Sequence, residues 1–136
     1  MKQKFLITFI IATIFTVGLF VSCASGPAVI PDDISAMELI QRGQEASDRN
    51  RFNQALEYYA AVLQRFPFDI DSICAAEYEI AFIHYKQGRY DVARNLFNNL
   101  LERYNTPDAA LLPQQFRVLS HIVLARIDEA EERRRN

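Results

Sequence analysis

The sequence predicts an all-α fold, two stacked helix hairpins followed by a capping helix, on three observations. The first is a repeated phrase. Arg51-Phe52-Asn53-Gln54-Ala55-Leu56-Glu57-Tyr58-Tyr59 aligns with Arg89-Tyr90-Asp91-Val92-Ala93-Arg94-Asn95-Leu96-Phe97, so that Ala55 matches Ala93 and Tyr59 matches Phe97 at a period of 38 residues. Periods of this size mean stacked two-helix units. The second is spacing: Ala93, Leu96/Phe97, Leu100/Leu101 and Tyr104 recur every three and four residues, one face of a helix. The third is punctuation. Asp48-Arg49-Asn50-Arg51 and the stretch around Gly88 separate the helices within each unit. Gly88 fits a tight turn because a residue without Cβ enters left-handed backbone space at no steric cost.

The elements are justified in order from the N-terminus. Lys2 and Lys4 precede an apolar run from Phe5 to Val21 that admits only Thr and Gly, the pattern of an export signal over residues 1–22. It ends in Phe20-Val21-Ser22-Cys23-Ala24, which resembles a bacterial lipoprotein lipobox. The resemblance implies acylation of Cys23, by palmitate or a similar chain, and a membrane anchor. A permanent membrane anchor and a plain secretory signal are the alternatives. Residues 23–34 read as a flexible tether, because Gly26, Pro27 and Pro31 oppose regular structure. Ten extended residues reach roughly 30 Å, enough to hold a domain clear of a lipid surface. Ala24 stands after the Cys, where Asp would favour retention at the inner membrane, so a periplasm-facing outer-membrane location is expected.

The folded domain is expected over residues 35–136. Ser35-Ala36-Met37-Glu38 is a capping box that opens the first helix. Repeat one covers about residues 36–68; its second helix carries Phe52, Ala55/Leu56, Tyr59 and Val62/Leu63 and stops at Pro67. Phe68-Asp69-Ile70-Asp71 reads as a linker. Repeat two covers about residues 74–105. Its first helix, Ser72 to Gln87, is apolar nearly all round and is therefore expected to be buried on most sides. A last helix, about residues 113–132, shows a stripe of Phe116, Leu119, Ile122/Val123, Arg126/Ile127 and Ala130. It caps the array with a charged end.

These residues resemble the tetratricopeptide repeat family. Repeat one supplies Gly43, Phe52, Ala55, Tyr59, Val62 and Pro67; repeat two supplies Tyr78, Ile80, Ala81, Gly88, Tyr90, Ala93, Phe97 and Leu100. The departures are Arg42 at a usually apolar position, Asn105 where Pro is usual, and a period longer than the family's ~34 residues. The resemblance implies a short α-solenoid with a concave groove lined from the first helix of each unit. Mapped onto this sequence, the groove holds Met37, Ile40, Gln44, Ser47, Asp48, Tyr78, Phe82, Tyr85, Lys86, Phe116 and Ser120. In so short an array the last helix can instead fill the groove, which would make Tyr78, Tyr85 and Phe116 core residues. An aromatic groove suits an extended peptide or an amphipathic helix. The signal and the repeats together resemble the envelope members of the family, the BamD-like lipoproteins of outer-membrane protein assembly and the Tol-Pal-associated proteins. That implies a membrane-anchored scaffold binding other envelope proteins. A lipid or hydrophobic-solute binding component associated with a transporter, and a self-assembling structural lipoprotein, are the alternatives.

Catalytic chemistry finds no footing in the sequence. The formal charge of −2 on 136 residues, enough for one domain, is too mild to imply nucleic acid. Once Cys23 is acylated, Cys74 cannot form an internal disulfide. It is a small buried hydrophobe or a thiolate favoured by the first turn of a helix. His84 and His121 lack ligand-spaced partners, so no metal or other cofactor is expected. Glu77 and Glu79 stand two apart on a helix and point to different sides.

Overall fold

Ser35 opens the first helix in the computed structural model, which describes residues 26–136. Its hydroxyl accepts from the Glu38 backbone N–H at 3.2 Å, pairing one of the donors that a helix start leaves free. Helix α1 spans Ala36–Asp48, α2 Phe52–Arg65, α3 Ile70–Lys86, α4 Tyr90–Glu102 and α5 Gln114–Arg135. No strand interrupts these five helices among the described residues. α1 pairs with α2 and α3 with α4 as hairpins; α2 and α1 both touch α3, and α5 closes the far side against α3 and α4. The export signal and Cys23 lie outside the described residues.

The two hairpins turn by the same hydrogen bonds. After α1, Asn50 takes a left-handed conformation (φ 57°), its N–H bonds Ser47 O at 3.0 Å, and the Arg51 N–H reaches Ala46 O at 2.8 Å. After α3, Gly88 (φ 71°) bonds Tyr85 O at 2.9 Å and Arg89 reaches His84 O at 3.0 Å. This is the Schellman closure of a helix C-terminus, and Asn is the non-glycine residue best suited to it. A Cβ at Gly88 would meet nothing within 4 Å, so substitution there costs backbone strain alone. Gly88→Ala is expected to lower unfolding free energy by about 1–2 kcal/mol, read from urea denaturation midpoints.

α3 starts earlier than the sequence predicts. Asp69 caps it, with one carboxylate oxygen accepting from the Ser72 N–H at 3.1 Å and the other from the Ser72 hydroxyl at 2.7 Å. Ile70 and Asp71, expected in the linker, are therefore its first turn. The helix is buried on two sides, as its apolar circumference requires. Ala76 and Ile83 join Leu39, Ala55, Tyr59 and Val62 in one core; Cys74, Tyr78 and Ala81 join Ala93, Phe97, Leu100, Val123 and Ile127 in the other. The repeat partners Ala55 and Ala93, and Tyr59 and Phe97, are all fully buried.

Two expectations are corrected. The tether predicted over residues 23–34 is docked from Ala28 onward. Ala28 and Ile30 pack on the first core and Ile34 is buried. The Ala28 N–H donates to Glu57 Oε2 at 2.6 Å, and Arg65 Nη1 donates to Pro31 O at 2.8 Å. The backbone stays irregular here, as the prolines require, and the apolar side chains of Ile30 and Ile34 hold it against the body.

The second correction is the rotation of α5. Its inward residues are Phe116, Ser120, Val123, Leu124 and Ile127, while Leu119 (38% exposed) and Ile122 (44%) face out beside Val118. Contacts made by other helices set this rotation. Phe116 packs on Tyr78 with ring centroids 5.7 Å apart, and Arg94 on α4 pairs with Asp128 at 2.7 Å and Glu131 at 2.9 Å. The Tyr104 hydroxyl donates to Pro113 O at 2.9 Å and fixes where the helix begins.

Candidate functional site

Tyr78, Phe82 and Tyr85 are three and four residues apart, so they share one side of α3. Their rings form a continuous stack. Centroids are 5.8 Å apart for Tyr78 and Phe82, 5.6 Å for Phe82 and Tyr85, and 5.8 Å for Tyr85 and Tyr90, with interplanar angles of 14° to 28°. Phe116 ends the row at Tyr78, and the Arg134 guanidinium, 4.9 Å from the Tyr90 ring, covers the other end.

Beside this row a cavity of about 300 Å³ opens between α1 and α3. α1 contributes Gln44, Ser47 and Asp48; α3 contributes Tyr78, Glu79, Phe82 and Lys86. Gln44 Nε2 donates to Glu79 Oε1 at 2.9 Å, and Lys86 Nζ donates to Ser47 Oγ at 3.0 Å. The Lys86 ammonium also lies 5.5 Å from the Phe82 centroid and 5.8 Å from that of Phe52, a cation over two aromatic faces. Burial pushes the Glu79 carboxyl above its ordinary range, and Asp48 adds to the rise; the Gln44 hydrogen bond and Lys86 oppose it. Below lies Tyr59, its phenol pushed up by burial and by the charges of Glu79 and Asp48. Its hydroxyl is buried and has no hydrogen-bond partner among the described residues.

The predicted groove residues divide. Gln44, Ser47, Asp48, Phe82 and Lys86 meet at the cavity. Tyr85 is half-buried in the ring stack alongside it. Tyr78 touches the cavity but is only 8% exposed and packs on Phe97 and Phe116, so it is mostly core. Phe116, half-buried, closes the α5 end without lining the cavity. Ile40 belongs to the first core, because it sits beside Leu39 on the side of α1 that meets α2. Ser120 is fully buried under α5, and Met37 points to solvent. α5 therefore closes part of the groove and leaves the α1 side open.

Glu79 and Tyr59 are the residues that sequence reasoning missed as parts of this site. Glu79 follows Tyr78 and precedes Phe82 by three, so helical spacing already placed it at the same edge. Glu77 does face away, gripping Arg103 through two hydrogen bonds of 2.8 and 2.6 Å. That pair borders a second cavity of about 420 Å³ on the opposite side, walled by Leu63, Ile80, Leu96 and Leu100. Cys74 is buried, and burial raises its thiol above the ordinary range; because α3 starts at Ile70, Cys74 stands in its second turn and not, as expected, in its first. Among the described residues no group of three His, Cys, Asp or Glu is placed to hold a metal ion, and no helix is long and apolar enough to cross a membrane.

Residues 78–112 match the tetratricopeptide repeat family model. They begin in the middle of α3 and run through α4 into the turns that precede α5. An uncharacterized protein of Treponema pallidum (strain Nichols) is a relative, 33% identical over 108 residues, which cover 78% of this chain and 43% of that protein. The chain thus spans less than half of that relative's length. No solved structure matches. With the same Schellman turn closing α1 and α3, and with the family match confined to the second hairpin and the turns after it, the chain has the fold of a short all-α solenoid of the tetratricopeptide type: two helix hairpins and a closing helix.

Proposed function

We propose that this protein is a lipid-anchored scaffold of the bacterial envelope, holding an extended segment of another envelope protein against the concave side of α3. One observation carries the reading: the cavity between α1 and α3 is open and is walled by a half-buried aromatic, Phe82. Aromatic side chains at the edge of a groove supply contact area at low entropic cost, which is how short peptides are held. The export-type N-terminus and the lipobox-like Ser22-Cys23 favour anchoring through Cys23. The location in the outer membrane, and a part in outer-membrane protein assembly, belong to the same proposal. Docking of Ala28 onto α2 leaves residues 24–27 between the anchor and the folded body, a reach of at most about 18 Å. The domain would then ride close to the lipid surface, and its partner segments would be membrane-proximal.

Two measurements test this. Labelling cells with radioactive palmitate is expected to mark the protein, and Cys23→Ser to abolish the label and release the chain from membranes. Persistent membrane attachment of an unlabelled Cys23→Ser variant would overturn the lipid anchor. A photoreactive residue in place of Phe82 is expected to give a discrete adduct with another protein in intact envelopes, and the same residue at Asn99, on the opposite side, none. Adducts from Asn99 alone would move the interaction to the other cavity.

Self-association is a second reading, favoured by Val118, Leu119 and Ile122 on the outer side of α5. A concentration-dependent dimer in sedimentation, lost in Ile122→Gln, would support it.

A further inference from the structure

The groove holds a feature that peptide binding in general does not require: it is built around a positive charge, and the chain's own lysine fills that place loosely. Lys86 is the last residue of α3 and is exposed. Its ammonium carries three donors, yet within the described residues it makes one hydrogen bond, to Ser47 Oγ. The aromatic faces of Phe52 and Phe82 lie under it. Two carboxylates, Asp48 and Glu79, stand against this single cation, and among the described residues neither is in a salt bridge. Beneath them the Tyr59 hydroxyl, fully buried, lies within the field of both carboxylates and has no partner. A buried hydroxyl without a partner is rare and marks a place where the chain's own atoms do not complete the polar network.

We propose that this seat, formed by Ser47, Asp48, Glu79 and Phe82, receives an arginine or lysine side chain of the bound segment, with Lys86 swinging aside. The proposal rests on the reading of the groove as a peptide site and specifies which residue the groove selects. An acidic side chain would face two carboxylates. An apolar one would bury Glu79 further with the neutral Gln44 amide as its one hydrogen-bond partner, and burial of a charge without a counter-charge is costly. A basic group answers both carboxylates and stacks on Phe82. A planar guanidinium does this better than an ammonium, since it can stack and pair at once.

The test is an array of 12-residue peptides on a leucine, phenylalanine and glycine background, with the central residue fixed as arginine, lysine, norleucine or glutamate. Binding of the purified protein to each is measured in solution by fluorescence anisotropy. Arginine peptides are expected to bind at least ~10-fold tighter than norleucine peptides, with lysine between them and glutamate weakest. In the double variant Asp48→Asn, Glu79→Gln the arginine preference should vanish, the ratio of arginine to norleucine affinity falling to about one. Lys86→Met, which removes the resident cation and leaves both carboxylates, should raise the ratio of arginine to norleucine affinity. This variant keeps the test decisive should the double variant fold poorly. Glu79→Gln alone separates function from structure. It removes a desolvated charge, so it should melt no lower than the parent at pH 7 and still lose arginine preference.

Equal binding of all four central residues, or preference for glutamate, would overturn the basic seat while leaving the peptide groove standing. No binding of any peptide would overturn both.

Discussion

Phe97→Ala is expected to cost about 3–5 kcal/mol, a large part of the 5–15 kcal/mol that holds a domain of this size together. Phe97 is fully buried on α4, its ring 5.6 Å from that of Tyr78 and tilted by 55°. It occupies the point where α3, α4 and α5 meet, among Ala81, Ala93, Leu100, Val123 and Ile127. Truncation removes the transfer free energy of the ring and leaves a cavity that three helices cannot close together. The melting temperature should fall by more than ~10 °C, and urea denaturation should give the free energy directly. A loss below about 1 kcal/mol would mean that α4 does not pack as described. Tyr78 loses its buried neighbour in the same variant, so peptide binding at the groove should weaken even at temperatures where the protein remains folded.

Gly43→Ala has the second large effect, and its sign is diagnostic. In an exposed helix interior, Gly to Ala gains about 1 kcal/mol through helix propensity. At Gly43 the new Cβ would come 2.4 Å from Tyr59 Cε1 and 2.6 Å from Cζ. Tyr59 cannot yield easily, because its ring is fully buried among α1, α2 and α3. Overpacking of a tight core typically costs 1–3 kcal/mol, and a contact this short belongs at the upper end. A net loss of about 1–2 kcal/mol is therefore expected, measured from the same denaturation midpoints. A gain in stability would show that α1 and α2 do not approach as closely as they do here. Because Tyr59 lies beneath Asp48 and Glu79, the variant should also disturb the polar floor of the groove.

Much of this fold was legible because each repeat writes its turn and its close contact in the same letters. Ala55 and Ala93 are small where helices meet, Tyr59 and Phe97 fill the next layer, and Gly88 marks a turn. Asn50 makes the same turn one period earlier. Its left-handed backbone was less legible because Asn is common in ordinary loops as well. The start of α3 was missed for a related reason: Asp69-Ile70-Asp71-Ser72 contains turn-forming residues, and only the geometry shows Asp69 acting as a cap. α5 carries two apolar stripes, Phe116/Val123/Ile127 and Val118/Leu119/Ile122. Spacing alone does not say which faces inward, since Tyr78 and Arg94, on other helices, decide it. Ile30 and Ile34 looked like tether residues because their partners on α1 and α2 come later in the chain.

In the groove, the family resemblance maps Gln44, Phe82 and Lys86 to one surface, and they line the same cavity. The resemblance also included Ile40 and Ser120, which lie one step around their helices on the buried side. In the sequence Glu79 stands only as a carboxylate two residues from Glu77. Its meaning appears when Gln44, Asp48 and Tyr59 converge on it from two other helices.

Hydroxyl-radical footprinting of the folded protein, read residue by residue by mass spectrometry, tests the open groove most directly and needs no partner. Phe82 and Tyr85 are half-buried, whereas Phe97 is fully buried and Tyr78 nearly so. The expected result is oxidation of Phe82 and Tyr85 well ahead of Phe97 and Tyr78, with Phe82 protected when an arginine-centred peptide is added. Equal protection of all four rings in the free protein would mean that the groove is filled by the chain itself, and would contradict a binding site on the concave side of α3.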